Sequence, residues 1–246
     1  MALVEPIPGE PAAIADLGGE TALVVADFHA GIEDHLRYEQ GINLDSRAGE
    51  RREQMYSLVD RTDPDRVVFL GDLMQSIAGP GGAERGEIEV LLESIDVPVT
   101  LVKGNHDGNI ESWIQCDVTP GDGIRLGDVG FVHGHTWPSK DVLSADVVCV
   151  GHEHPCVRLE DSVGGSRVER IWLRGGLNPK PFEEQIGEEM VVDGELIVFP
   201  AFNDLTGGTW VNIEGQGFLA PFLPDGLVDG EAYLLDGARL GRYDAI

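Results

Sequence analysis

Val97-Pro98-Val99-Thr100-Leu101-Val102-Lys103-Gly104-Asn105-His106-Asp107 begins as a mostly apolar run and ends in a cluster of metal- and proton-binding side chains. A short Val/Leu run bounded this way reads as a buried strand that delivers its last residues to a functional edge. The same pattern recurs on both sides. Upstream, Thr21–Ala26 runs into Asp27-Phe28-His29, and Arg66–Leu70 into Gly71-Asp72. Downstream, Val129–Val132 runs into His133-Gly134-His135, and Val147–Val150 into Gly151-His152-Glu153-His154.

Between the first three runs the hydrophobic period becomes helical. Ser46–Arg61 puts Met55, Leu58 and Val59 on one side and charges on the other, and Glu84–Ile95 carries a stripe of Ile88, Leu91, Leu92 and Ile95. Alternating strands and helices predict parallel strands joined by crossovers. Ligands of such sheets gather outside the carboxyl ends of the strands, where Asp27, Asp72, Asn105 and His106 fall. Beyond Gly121 the pattern turns β-rich. Gly127-Asp128, Asp193-Gly194 and Asp236-Gly237 read as hairpin turns, and Gly164-Gly165 as part of a longer loop. A mostly antiparallel second sheet, packed on the first, is the expectation. No repeat, low-complexity segment or linker interrupts residues 1–246, which predicts a single domain.

Composition narrows the class. Hydrophobic residues make up 42% of the chain, enough for a sizeable core. No apolar run approaches the roughly 20 residues of a membrane span, and Met1–Gly19 does not read as a signal peptide, so a cytoplasmic protein is expected. Three cysteines, Cys116, Cys149 and Cys156, lack metal-type pair spacing, and Cys149 reads as a core residue. Forty-four acidic residues against seventeen basic ones give a formal net charge of −27, and only Lys103, Lys140 and Lys180 are lysines. Such a surface repels itself in dilute buffer, whereas in molar salt the Debye length falls to about 3 Å. The composition therefore reads as adaptation to a salt-rich cytoplasm.

The chemistry lies at the strand ends. Asp27 and His29 share one side of an extended segment, and their carboxylate and imidazole suit hard and borderline divalent cations. Asp72 is a second strand-end carboxylate, though a helix N-cap would look the same. The Asn105 carbonyl can ligate a metal, with His106 beside it within reach of a substrate. Six of the seven histidines (His29, His106, His133, His135, His152 and His154) lie at strand ends, and the seventh, His35, follows shortly after His29. Six imidazoles converging on one rim define a metal or catalytic site. His135 reads equally as a substrate contact or a supporting hydrogen bond. Arg174-Gly175-Gly176 and Phe202-Asn203 read as pocket linings or as a turn and a strand end. Gly207-Gly208 reads as a hairpin turn, and Pro80-Gly81-Gly82 as a flexible loop near the site mouth.

Taken in order, Asp27-Phe28-His29, Gly71-Asp72, Gly104-Asn105-His106-Asp107, His133-Gly134 and Gly151-His152-Glu153-His154 resemble the five motifs of the calcineurin-like metallophosphoesterase superfamily. Asp27–Glu33, Gly41-Ile42-Asn43, His154-Pro155 and Pro200-Ala201-Phe202-Asn203 further resemble the archaeal SbcD-related, ICC-like phosphoesterases. The resemblance implies an α/β fold of two packed mixed β-sheets flanked by helices. It implies two divalent cations, manganese first, with iron or zinc as alternatives. Asp27, His29 and His154 would hold one cation, Asn105, His133 and His152 the other, and Asp72 would bridge them. His106 would face the phosphate, with Asp107 holding its ring. Gln75 stands where many members carry a second polar residue after the bridging aspartate.

The implied reaction is hydrolysis of a phosphodiester or phosphomonoester by direct attack of metal-activated water, without a covalent enzyme intermediate. A small phosphate ester or nucleotide is the expected substrate. Nucleic acid is not supported by charge, because Arg47, Arg51, Arg52 and Arg61 share a helix with acids and form no basic stripe. The alternatives are a DNA nuclease of the repair-nuclease lineage and a non-catalytic scaffold that has lost metal ligands.

Overall fold

The computed structural model describes residues 2–77, 79–161, 163–190, 192–213 and 215–246. The first sheet follows chain order: β1 (Val4–Pro6), β2 (Ala12–Asp16), β3 (Thr21–Val25), β4 (Arg66–Phe69), β5 (Val99–Val102) and β6 (Asp117–Thr119). The first three strands are antiparallel neighbours, and β3 to β6 run parallel. Helices α1 (Ile32–Gln40) and α2 (Ala48–Thr62) fill the β3–β4 crossover, and α3 (Gly82–Glu93) fills the β4–β5 crossover.

The second sheet contains β7 (Ile124–Leu126), β8 (Val129–Val132), β9 (Val147–Val150), β10 (Cys156–Glu160), β11 (Ser166–Leu177), β12 (Glu195–Val198), β13 (Leu227–Leu234) and β14 (Arg239–Arg242). Its order is β14-β13-β11-β12-β9-β8-β7, with β10 paired to β11. Short helices α4 (Lys140–Leu143) and α5 (Lys180–Ile186) lie in its connections. Most of its pairings are antiparallel as expected, but β8, β9 and β12 run parallel to one another. Those three strands form a second parallel patch facing the first.

The apolar runs are continuous because these strands are buried on both faces. Leu23, Val25, Val67, Phe69 and Leu101 pack toward Met55, Leu58, Ile88 and Leu91 of the helices. Their alternates Ala22, Val24, Val68 and Val102 meet Phe131, Cys149, Trp172 and Ile197 of the second sheet. The far face of that sheet, with Val132, Val150, Leu173 and Val198, is covered by Val142, Leu143, Phe182 and Phe222. Helix, sheet, sheet and helix thus stack in four layers. Cys149 sits in the layer between the sheets, and all three cysteines are free.

Two sequence expectations need correction, and one helix is not foreseen. The charges of α2 are not confined to the solvent side, since Arg51 is buried one turn before Met55, and in α3 Glu84 and Glu87 are buried beside the expected apolar stripe. Helix α1 escapes periodicity because Ile32 and Leu36 are its only apolar aliphatic residues. Asp193-Gly194 is no hairpin turn, since it joins the segment after α5 to β12, which pairs parallel with β9. Gly127-Asp128 and Asp236-Gly237 do turn hairpins, between β7 and β8 and between β13 and β14.

Phe131 is fully buried between the sheets. Its replacement by alanine should cost about 3–5 kcal/mol, read as a lower urea midpoint at constant m-value.

Candidate metal centre

Strands β3, β4, β5, β8 and β9 end on one rim, and the chain turns sharply as it leaves most of them. Among the described residues seven non-glycine residues have positive φ, and five lie here: Asp27 (56°), His29 (46°), Asp72 (48°), His152 (69°) and His154 (44°). Such backbone costs about 1–3 kcal/mol per residue and persists where the surroundings dictate it. The surroundings are a lattice of hydrogen bonds between the turns. His29 N donates to Asp72 O (2.9 Å), and His152 N donates to the Asp27 carboxylate (3.0 Å). Asn203 Nδ2 donates to the carbonyls of Phe28 and His29 (3.1 Å each), so Asn203 braces the first turn from behind.

Two donor groups result. Asp27, His29 and His154 form one, and Asp72, His133 and His152 the other, each with its ligand atoms within 4.8 Å of one another. In the first, His154 Nε2 lies 3.3 Å from both Asp27 Oδ1 and His29 Nε2. In the second, His133 Nε2 lies 3.3 Å from Asp72 Oδ2 and 3.2 Å from Asn105 Oδ1. Asp72 Oδ2 is also 3.8 Å from His29 Nε2, which places this oxygen between the groups. His135 packs beside His133 and His152, with ring centroids 5.3 and 6.2 Å away, but belongs to neither group.

The outer ring nitrogens fix how the inner ones point. His133 Nδ1 donates to Leu70 O (2.7 Å) and His154 Nδ1 to Gly207 O (2.8 Å), so each ring turns Nε2 inward. A histidine anchored through one nitrogen presents the other as a metal ligand. The donor set itself fits a pair of divalent cations: carboxylate, imidazole and amide oxygen, with the acids in ion-pair reach of histidines only among the described residues. Two imidazole nitrogens 3.3 Å apart beside a buried carboxylate offer a divalent cation three donors at one point.

Burial and neighbouring charge compete at every group. Burial raises the Asp72 carboxyl, but His133, with His29 and His106, outweighs it and holds Asp72 below the ordinary carboxylate range. Asp27 is lowered too: burial opposes ionisation, and His154 and His133 overcome it. Burial and His154 bring His29 down to about 4, and burial and His133 bring His152 down to about 4. His133 is raised to about 9, because Asp72 and Asp27 outweigh its burial. His154 is raised in the same way by Asp27.

His106 borders both groups, with Nε2 3.9 Å from Asp72 Oδ2, and its ring packs edge-on against His29. Its ring does not rest on Asp107, as the resemblance implies. His106 Nδ1 donates to Gln75 O at 2.5 Å. The Asp107 carboxyl instead accepts from the amides of Gly104 (2.8 Å), Asp72 (2.9 Å) and Met74 (3.1 Å), tying the β4 and β5 turns together. Burial and the Asp72 charge push Asp107 up to about 6.

A cleft of about 420 Å³ opens beside His29, His106 and His154, walled by Ile32, His35 and Leu36 of α1 and by residues 205–209, 216, 217 and 219. Gly207-Gly208 is therefore part of the cleft wall and the anchor of His154 rather than a hairpin turn. The buried Glu153 accepts from the amides of Leu219 (2.7 Å) and Ala220 (2.6 Å) and from Thr209 Oγ1 (2.9 Å), which pins that wall to the rim. Arg174 is not at the cleft: it pairs with Glu195 across β11 and β12. Pro80 and Gly81 lead directly into α3. The bracing roles of Asn203, Glu153 and the Gly207 carbonyl escape sequence reasoning, because they lie far along the chain from what they hold.

The calcineurin-like phosphoesterase family profile matches residues 21–156, a span that contains both donor groups and His106, and the chain belongs to that family. Its fold is shared with the nuclease MPE of Pseudomonas putida, at 18% identity and a TM-score of 0.59, over 96% of this chain and 100% of that one. The Escherichia coli phosphoesterase Yfce aligns at 15% identity and a TM-score of 0.43, over 89% of this chain and 96% of that one. No curated protein matches the chain.

Cation binding to the second group must displace a proton from His133, which is charged below pH 9 in the metal-free protein. Apparent affinity should therefore rise by up to about tenfold per pH unit between pH 6 and 9, and calorimetry in buffers of different ionisation enthalpy should register proton release. Gly71 has φ +79°, and a Cβ there would fall 2.4 Å from His133 Nδ1. Gly71→Ala should displace that ring and lower the bound metal from two equivalents toward one, as measured by elemental analysis of the purified variant.

Proposed function

We propose that this chain is a two-metal phosphoesterase that hydrolyses a small phosphodiester or nucleotide-like phosphate ester. The observation that carries the reading is the meeting of two donor groups across the single buried carboxylate of Asp72, at the mouth of a cleft. Asp27, His29 and His154 would hold one cation, Asn105, His133 and His152 the other, and Asp72 would serve both. When bound, two divalent cations, manganese in preference to iron or zinc, would neutralise charge on the phosphoryl oxygens and acidify water. The remaining work falls to the chain. His106, fixed through Nδ1, turns Nε2 to the reacting phosphate and, with both ring nitrogens protonated, donates a hydrogen bond from Nε2 to the leaving oxygen. Asp107 holds the Asp72 and Asn105 turns in register through backbone amides.

The cleft lining contains no lysine or arginine among the described residues. That supports a small substrate, whose charge is met at the metal centre, over a DNA backbone read by basic side chains. DNA hydrolysis is the second reading, favoured by the fold shared with the Pseudomonas putida nuclease along nearly the whole chain. A scaffold role is disfavoured because every ligand position is filled. The acid excess supports a salt-rich cytoplasm as the working environment.

The test is hydrolysis of bis-p-nitrophenyl phosphate, p-nitrophenyl phosphate and single-stranded DNA in molar KCl with manganese. Wild type should cleave the diester in a chelator-sensitive way, and His106→Ala should lose about 10²–10⁴-fold in kcat while keeping its metal. DNA cleavage exceeding that of the small diester would favour the nuclease reading. Folded protein that binds no metal would return the scaffold reading.

A further inference from the structure

We propose that Glu84, on the first turn of α3, is a positioning residue for His106; this rests on the role given to His106 above. Glu84 is 4% exposed, and among the described residues every hydrogen bond to its carboxyl group comes from a backbone amide. Oε1 accepts from Gln75 N at 2.6 Å and Ser76 N at 2.8 Å, and Oε2 accepts from Gly81 N at 3.2 Å. The Gly81 contact is an ordinary helix cap. The other two are not needed by the helix: they reach back to the turn that follows Asp72.

That turn carries the carbonyl on which His106 depends. Gln75 O accepts from His106 Nδ1 at 2.5 Å, which keeps a proton on Nδ1 and leaves Nε2 facing Asp72 and the cleft. A carbonyl aims where its peptide planes are held, and here the Gln75 and Ser76 amides on either side of the Gln75 carbonyl are both held by one oxygen. Gln75 N is shared with Ala30 O at 3.1 Å, so the same plane is also tied to the turn after His29. Glu84 packs hard against that turn as well. Gly31 has φ +78°, and a Cβ there would sit 2.7 Å from Glu84 Cβ, so glycine is what lets the helix approach.

The neighbouring Glu87 shows the contrast. It is paired with Arg51 and receives Gly31 N at 3.1 Å, a role in holding α1, α2 and α3 together. Glu84 spends its oxygens on the loop beneath the catalytic histidine.

The experiment compares the metal-loaded full chain as wild type, Glu84→Ala, Glu84→Gln, Glu84→Asp, His106→Ala and the double Glu84→Ala/His106→Ala variant. The substrates are aryl phosphodiesters with p-nitrophenyl and phenyl leaving groups. Glu84→Ala should lower kcat about 10–100-fold, with KM within about twofold and two metals retained. The loss should be larger for phenyl, the poorer leaving group. Glu84→Gln should recover most of the rate, because an amide oxygen still accepts from Gln75 and Ser76. Glu84→Asp keeps a first-turn carboxyl but is one methylene short, so it should fold and behave like the alanine variant, which covers the case in which Glu84→Ala does not fold. In the His106→Ala background, removing Glu84 should cost little more. Losses that multiply, loss of bound metal, or a wild-type rate for Glu84→Asp would overturn the assignment. A wild-type rate for His106→Ala itself would sink the role of His106, a separate failure from that of Glu84.

Discussion

One carboxylate oxygen organises this molecule. Asp72 Oδ2 stands 3.3 Å from His133, 3.8 Å from His29 and 3.9 Å from His106, and these rings arrive on β8, β3 and β5. The Asp72 residue is itself buried, so its charge is tolerable only because positive or polar groups crowd around it. Bringing them there demands that two sheets end on a common rim, and that the chain turn through left-handed backbone at residues that are not glycine. The strain at Asp27, His29, Asp72, His152 and His154 is the cost of aiming five donors at one small volume.

Rigidity is supplied from outside the ligand set. Asp107 takes three amides of the β4 and β5 turns, Asn203 takes two carbonyls of the β3 turn, and Glu153 takes two amides of the cleft wall. Beneath them Arg51 bridges Glu33 and Glu87, so all three helices of the first sheet are cross-linked by buried charge. A buried ion pair of this kind adds little net stability compared with well-packed apolar residues, but breaking it by removing one partner is strongly destabilising. Its effect here is to fix where the helix ends lie, and those ends hold the loops.

The acidic composition and the centre belong to different length scales. Surface charge is screened over about 3 Å in molar salt, whereas the buried acids of the centre interact through protein and are hardly screened. Several of the surface acids are also committed locally: Glu10 pairs with Arg61, Glu20 with Arg66 and Glu111 with Lys103. A site that concentrates positive charge can therefore exist inside a chain of net charge −27.

The order of the motifs, the buried strands and the Asp, Asn and His side chains that meet at the rim were all legible in the sequence. Strand burial writes itself as continuous apolar runs, and few side chains other than these bind divalent cations. Hairpin turns such as Gly127-Asp128 were legible for the same reason, since they depend on adjacent residues. What only the tertiary structure decided were contacts between residues distant in the chain. His106 rests on the Gln75 carbonyl rather than on its neighbour Asp107, His154 on Gly207, and Glu84, Glu87 and Arg51 turn inward. Sequence specifies which groups are available, because chemistry belongs to the side chain. Which atom of which group each one meets depends on backbone carbonyls and amides, which look alike at every position until the fold places them.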